Sequence, residues 1–244
     1  MKNKTSFFLF LFPLAFWSSS MHGQEEKRFF LDENDFVISE TVFENKKKSS
    51  IYFSERLYSE KGPVERLRFM TYMGIMDSTL HKQMNQLLSS RIQANTTKTF
   101  FVRYVDSVAT QEQMRKSEYT RQTPYGPKNY GNRWRSFVLS TKGQNRYNSN
   151  QVEVLHLYGH IQKEDKRISE LGWRKDPSNV FKHLFMTLGR PKSAFVAIHP
   201  DGRFWLRHLC LTDVSIKQMI NPKTWEKRII AFQKEYERLN PNNQ

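Results

Sequence analysis

Arg190–Cys210, "RPKSAFVAIHPDGRFWLRHLC", carries the clearest architectural signal in this 244-residue chain, together with two histidines, an aspartate and the only cysteine. Two β-rich runs flank His199-Pro200-Asp201-Gly202. Pro200 suits the second position of a type I turn, and Gly202 supplies the left-handed residue of a bulge. The stretch therefore predicts a β-hairpin in which His199 faces Arg203. Alternation then puts Val196, Ile198, Phe204, Leu206, His208 and Cys210 on one side, which reads as a core face. Phe195, Ala197, His199, Arg203, Trp205 and Arg207 fall on the other, half aromatic and half basic. In this register His199 and His208 point to opposite sides. In a tighter two-residue turn His208 sits opposite Phe195, roughly 13 Å along the strand from His199. Zinc ligands lie about 2 Å from their metal, so the hairpin speaks for a fold and not, by itself, for a metal site.

The neighbouring segments extend this outline in both directions. "TFFVRYVDSV" (Thr99–Val108) and "VEVLHLYGHI" (Val152–Ile161) are aromatic and β-branched runs typical of strands, the second apolar enough to be buried on both faces. Asp176 or Ser178 can cap a short helix that stops at Gly189-Arg190-Pro191. After the hairpin, Asn221 caps and Pro222 opens a terminal helix. Trp225, Ile229, Phe232, Tyr236 and Leu239 form its apolar stripe. Nearer the N-terminus, Asp35–Phe43 and Ser50–Leu57 read as short strands. Leu67, Met70, Met73, Met76, Leu80, Met84, Leu87 and Ile92 predict one long helix from Val64 to Ile92, weakened by Gly74. The fold class expected is α/β (or α+β): a central mixed sheet with a C-terminal β-hairpin and closing helix, preceded by a short β segment and a long helix.

The first residues have the three parts of an export signal: Lys2 and Lys4, the apolar run Phe7–Trp17, and Ser18-Ser19-Ser20. The run is too short for a bilayer core, which needs about 20 residues, and no later segment is long enough. The expected organisation is a signal peptide at 1–23, a β-rich extension at 24–62, and an α/β domain at 63–244. That domain contains an irregular basic insertion at about 111–150. The expected location is periplasmic or secreted. The chain carries 39 Lys+Arg against 24 Asp+Glu, a net charge of +15, and loss of Lys2 and Lys4 leaves +13. That balance favours anionic partners. For an exported chain these are an anionic glycan, an envelope surface or an acidic protein, rather than nucleic acid. A single cysteine excludes an intrachain disulfide framework, C-x-x-C redox chemistry and cysteine-cluster zinc sites.

Arg115–Arg146 concentrates eight cations against one acid, Glu118, with five aromatic rings interleaved. Arg121, Tyr125, Lys128, Tyr130, Arg133, Trp134 and Arg135 are its candidate binding residues. Cations neutralise phosphate, sulfate or carboxylate, while flat rings stack on sugars or bases. Met70, Met73 and Met76, with His81 a turn beyond, would suit Cu(I), although methionines at helical spacing ordinarily fill a core. His156 and His160 are too far apart on a strand to share a metal. His156, His183, His199 and His208 are the donors an enzyme hidden by sequence order would use. No nucleophile elbow, phosphate loop, H-E-x-x-H or dinucleotide glycine motif occurs. No catalytic residue, metal set or cofactor is singled out.

From Thr99 to Leu239 the order is strand, long insertion, strand, helix, strand, tight hairpin, strand and terminal helix. This resembles the thioredoxin-like fold, and Pro191 resembles the proline that precedes the third core strand in that family. The spacing from Pro191 to Gly202 is longer than is usual there. The paired catalytic cysteines are absent after the Thr99 strand, so no site residue carries over. The reading that follows is a non-catalytic binding domain. The alternatives are a histidine-based enzyme or, less favoured, a copper-handling protein.

Overall fold

The structure, a computed structural model, describes residues 28–241 except 60–61, 124–125, 188–191 and 209–210, and only the backbone of 118–130. The export segment, Tyr125, Pro191 and Cys210 lie outside the described residues.

Thr99–Val108 organises the fold because it is apolar on both sides, with Phe100, Phe101, Val102 and Tyr104 all buried. In chain order the strands are β1 (Phe29–Leu31), β2 (Tyr52–Ser59), β3 (Gly62–Phe69), β4 (Thr71–Ile75), β5 (Thr99–Val108) and β6 (Glu118–Thr123). They continue with β7 (Gly126–Asn132), β8 (Val152–Ile161), β9 (Trp173–Lys175), β10 (Ser193–Ile198) and β11 (Arg203–Arg207). The helices are α1 (Glu40–Lys47), α2 (Ser78–Ile92), α3 (Gln111–Lys116), α4 (Arg133–Asn145), α5 (Lys166–Glu170), α6 (Asp213–Met219) and α7 (Trp225–Leu239). The large sheet is mixed, in the order β4-β11-β10-β5-β8-β9. β5, β8 and β9 are parallel to one another, and β10 runs antiparallel to β5. A smaller mixed sheet, β1-β3-β2, holds the N-terminal part, and β6-β7 form a separate hairpin.

Strand alternation divides the large sheet between two cores. Phe100, Val102, Val196, Ile198 and Leu206 face α2 and the segment 177–186. Phe101, Ala197 and Trp205 face α6, α7 and the small sheet, meeting Phe30, Phe43, Tyr52, Trp225 and Phe232. The β10–β11 turn is closed by Gly202 N–H donating to His199 O at 2.9 Å and His199 N–H to Arg203 O at 2.9 Å. Gly202 has φ +90, a backbone that L side chains resist. Ala197 pairs with Trp205 and Val196 with Leu206. On the half-basic face of this hairpin Trp205 is buried in the core with α7, while His199, Arg203 and Arg207 are partly exposed.

Several segments differ from their sequence expectation. Val64–Ile92 is not one helix: β3 and β4 occupy its first half, and α2 begins only at Ser78. Asp77 caps it, its carboxylate accepting the N–H groups of Thr79 and Leu80 at 2.9 and 3.2 Å. The period of two in β3 was hidden because Glu65 and Arg68 are buried charges at strand positions. Ion pairs make them tolerable: Glu65 meets Arg56 at 2.9 Å, and Arg68 meets Asp35 and Glu55 at 3.5 Å. Gly62-Pro63 opens β3, paired with Ser59 and Tyr58 of β2 inside one sheet. Within 35–43 the chain enters α1, capped by Ser39, with Glu40 at its first turn and Lys46 and Lys47 at its last. The segment at 111–150 is largely regular, as α3, the β6–β7 hairpin and α4. Gly126, Pro127 and Gly131 fall in the hairpin, Gly131 with φ +79, and Gly143 falls within α4.

A buried polar cluster joins the small sheet to the end of α7. Glu33 accepts from Lys46 at 2.9 Å and from the Tyr52 hydroxyl at 2.8 Å. Asn240 donates to that hydroxyl at 3.0 Å and to the Tyr236 carbonyl at 2.8 Å. Burial first, then the Glu33 charge, pushes the Tyr52 hydroxyl far above its ordinary pKa, so it remains a donor.

Candidate functional site

The basic–aromatic candidates divide at the start of α4. Asn132 ends β7 and caps the helix, its side-chain oxygen accepting the Arg135 N–H at 2.9 Å. Successive residues of a first turn point in different directions, so Arg133 and Arg135 are exposed while Trp134 turns half inward. No acid occupies this turn. Both guanidiniums therefore add to the positive end of the helix dipole instead of offsetting it. Trp134 stacks on Phe137, centroids 6.0 Å apart, and Phe137 on Trp173 at 5.0 Å. The Arg103 guanidinium lies 5.8 Å from the Phe137 ring and 5.2 Å from Trp173. Trp173 is locked by its indole N–H donating to Thr141 Oγ1 at 3.1 Å. Trp134 and Phe137 are both partly exposed, whereas Trp173 beneath them is buried. Arg121 and Lys128 are register partners across the β6–β7 hairpin, and Tyr130 lies on β7 close to its bulge. Tyr125 lies outside the described residues.

His156, His183, His199 and His208 lie on separate elements of the fold. His156 is buried beneath Trp173, with Nε2 2.7 Å from Asn145 Oδ1 and Nδ1 without a partner. Burial first, then the Arg103 charge, pushes its pKa down to about 3. His199 sits at the β10–β11 turn, Nδ1 2.8 Å from Asp201 Oδ1. His208, beyond β11, is buried, and burial pushes its pKa down to about 4, partly offset by the Ser193 backbone. His183 and His160 are exposed. Among the described residues no three His, Cys, Asp or Glu side chains could share a metal ion. The helical methionine face does not form. Met73 is on β4 in the core under α7, and Met76 lies in the opposite core.

Behind β5 and β8 the Tyr104 hydroxyl is buried without a hydrogen-bond partner. A Cβ at Gly159 would lie 2.5 Å from it. Asp176 is also buried. Desolvation raises its carboxyl pKa, countered by N–H groups of Lys182, Phe181 and Val180. Its carboxylate accepts the N–H groups of Phe181 at 3.2 Å and Lys182 at 3.0 Å, just ahead of a π-helical turn, Lys182–Met186. This arrangement anchors a tight connection in which Ser178 and Asn179 both take positive φ.

One cavity was not anticipated from sequence. About 290 Å³ in volume, it opens between Ser50–Ile51, the β4–β11 edge, α6 and α7. Arg207 and Arg228 line it beside Trp205 and Met73. A signal for it exists: Arg228 lies three residues after Trp225 and four before Phe232, inside the apolar stripe. Arg207 alternates with Trp205, so both cations are aimed at the same interface. No family model, curated protein or solved structure matches this chain.

Proposed function

We propose that the protein is an exported, non-catalytic binding domain that engages an anionic glycan, an envelope surface or an acidic protein. Contact runs through the start of α4 and the adjoining β6–β7 hairpin. The observation that carries this reading is the pair Arg133 and Arg135, which project to solvent from the positive end of α4 on either side of Trp134. A net charge of +15 gives the whole molecule the matching long-range attraction. Export rests on Lys2, Lys4 and the Phe7–Trp17 run. The strand order β11-β10-β5-β8, with β5 parallel to β8 and α7 closing the sheet, supports a thioredoxin-like arrangement of Thr99–Leu239 used as a scaffold. The placement of the histidines on separate elements and the split of Met73 from Met76 favour this reading over the enzyme and copper alternatives.

The test is to replace Arg121, Lys128, Arg133 and Arg135 together with Gln and to measure retention on anionic glycan and on envelope fractions at several salt concentrations. The unsubstituted protein is expected to be retained in a salt-dependent way and the variant to elute at clearly lower salt, with unchanged circular dichroism. Retention that is the same in both and insensitive to salt would refute the proposal.

A further inference from the structure

The cavity between β11 and α7 has two kinds of wall. Met73, Phe232 and the face of Trp205 are apolar, and Arg207 and Arg228 are cationic. Among the described residues neither arginine forms an ion pair with a carboxylate. Glu235 also lines the cavity, but Arg238 holds it with two bonds of 2.8 and 2.7 Å. Arg207 Nε is buried with no hydrogen-bond partner. Burial, and then the charge of Arg228, lowers the Arg207 pKa, so the two guanidiniums are close enough to repel. A half-buried pair of like charges without a counter-ion is costly, and an anion between them removes both the repulsion and the unmet donors.

The geometry also limits what that anion is. Arg228 is steadied over the Trp205 ring at 5.2 Å. The indole N–H of Trp205 is occupied by Thr71 Oγ1 at 2.8 Å, so the ring offers a ligand only its apolar surface. A guanidinium fork matches a planar carboxylate. The apolar walls favour a ligand with a hydrocarbon body over a bare inorganic ion. A volume of about 290 Å³ lies at the lower end of small-molecule sites, so the body is compact.

We propose that this cavity binds a small organic carboxylate, its carboxylate held by Arg207 and Arg228 and its apolar body against Trp205, Met73 and Phe232. The site lies at the β4–β11 side of the sheet, whereas α4 packs toward β8, so it is separate from the basic–aromatic surface.

The intact protein, labelled at its tryptophan indoles, would be titrated by NMR with phenylacetate, its neutral isostere phenylacetamide, and inorganic phosphate. Phenylacetate is expected to shift the Trp205 indole resonance saturably, and both other probes to bind at least about tenfold more weakly, the scale of a charge-assisted hydrogen bond. Arg207→Met and Arg228→Met should each weaken phenylacetate by a similar factor. Arg228→Lys, which keeps the charge and loses the fork, serves as a second variant if either substitution disturbs the Trp173 indole signal. Absence of a saturable Trp205 shift, equal binding of phenylacetamide, or phosphate binding as tightly as phenylacetate would each overturn the proposal. The fourfold Gln variant at the basic surface should bind phenylacetate normally, which separates failure of this site from failure of that surface.

Discussion

His156 makes folding stability depend on pH in a way that can be isolated. In the folded chain it lies under Trp173 with Nε2 on Asn145 Oδ1, so Nε2 carries the hydrogen and Nδ1 is a bare lone pair. Burial and the neighbouring Arg103 hold its pKa at about 3, against about 6.5 in an unfolded chain. The folded pKa is the lower of the two, so the unfolded chain takes up the proton first. The contribution is complete above about pH 6.5 and is lost as pH falls toward about 3. At about 1.4 kcal/mol per unit, acidification from pH 7 to pH 5 removes about 2 kcal/mol through this residue alone. His208, held at about 4, adds a loss of the same sign and similar size. The assay is urea unfolding at pH 7 and pH 5 of the wild type and of His156→Gln, whose amide can still donate to Asn145. Carboxylates such as Asp176 are common to both proteins and cancel in the difference. The wild type should lose about 2 kcal/mol more than the variant over this interval and take up about one more proton on unfolding. Identical pH dependence would refute the assignment of His156 as a buried neutral group.

Two substitutions test the packing of the interior. Lys46→Met leaves the buried Glu33 carboxylate with the Tyr52 hydroxyl but no cation, and is expected to cost about 3–5 kcal/mol in urea unfolding; a loss below about 1 kcal/mol would show that the cluster is hydrated. Gly159→Ala places a Cβ 2.5 Å from the Tyr104 hydroxyl and 2.9 Å from the Asp106 carbonyl. It should destabilise by about 1–3 kcal/mol, and the double variant Tyr104→Phe/Gly159→Ala should recover part of the loss. No recovery would mean that the backbone contact dominates.

The strands Thr99–Val108 and Val152–Ile161 were legible because each is a nearly unbroken run of aromatic and β-branched residues. The terminal helix was legible because Trp225, Ile229, Phe232 and Tyr236 repeat at one period only. Val64–Ile75 was misread because Glu65 and Arg68 are charged residues at buried positions. Periodicity can recognise such a strand only when the partners Arg56, Asp35 and Glu55 are known. Of the candidate site, the sequence located the cations and rings of 121–135. It could not show that Trp134 leans on Phe137 while Arg133 and Arg135 stay free in solvent.

What the sequence determined by itself is what depends on neighbouring residues: the strand and helix periods of the C-terminal half, the mixed α/β class, the excess of positive charge, and the lack of a cysteine pair. Tertiary structure alone decided which charges are buried, which histidines are held neutral, and that Arg207 and Arg228 share a cavity. Those outcomes depend on groups brought together from distant parts of the chain, across β11 and α7 or across β3 and α1. The free energy of a charge is set by what surrounds it in space, and composition and spacing carry no record of that.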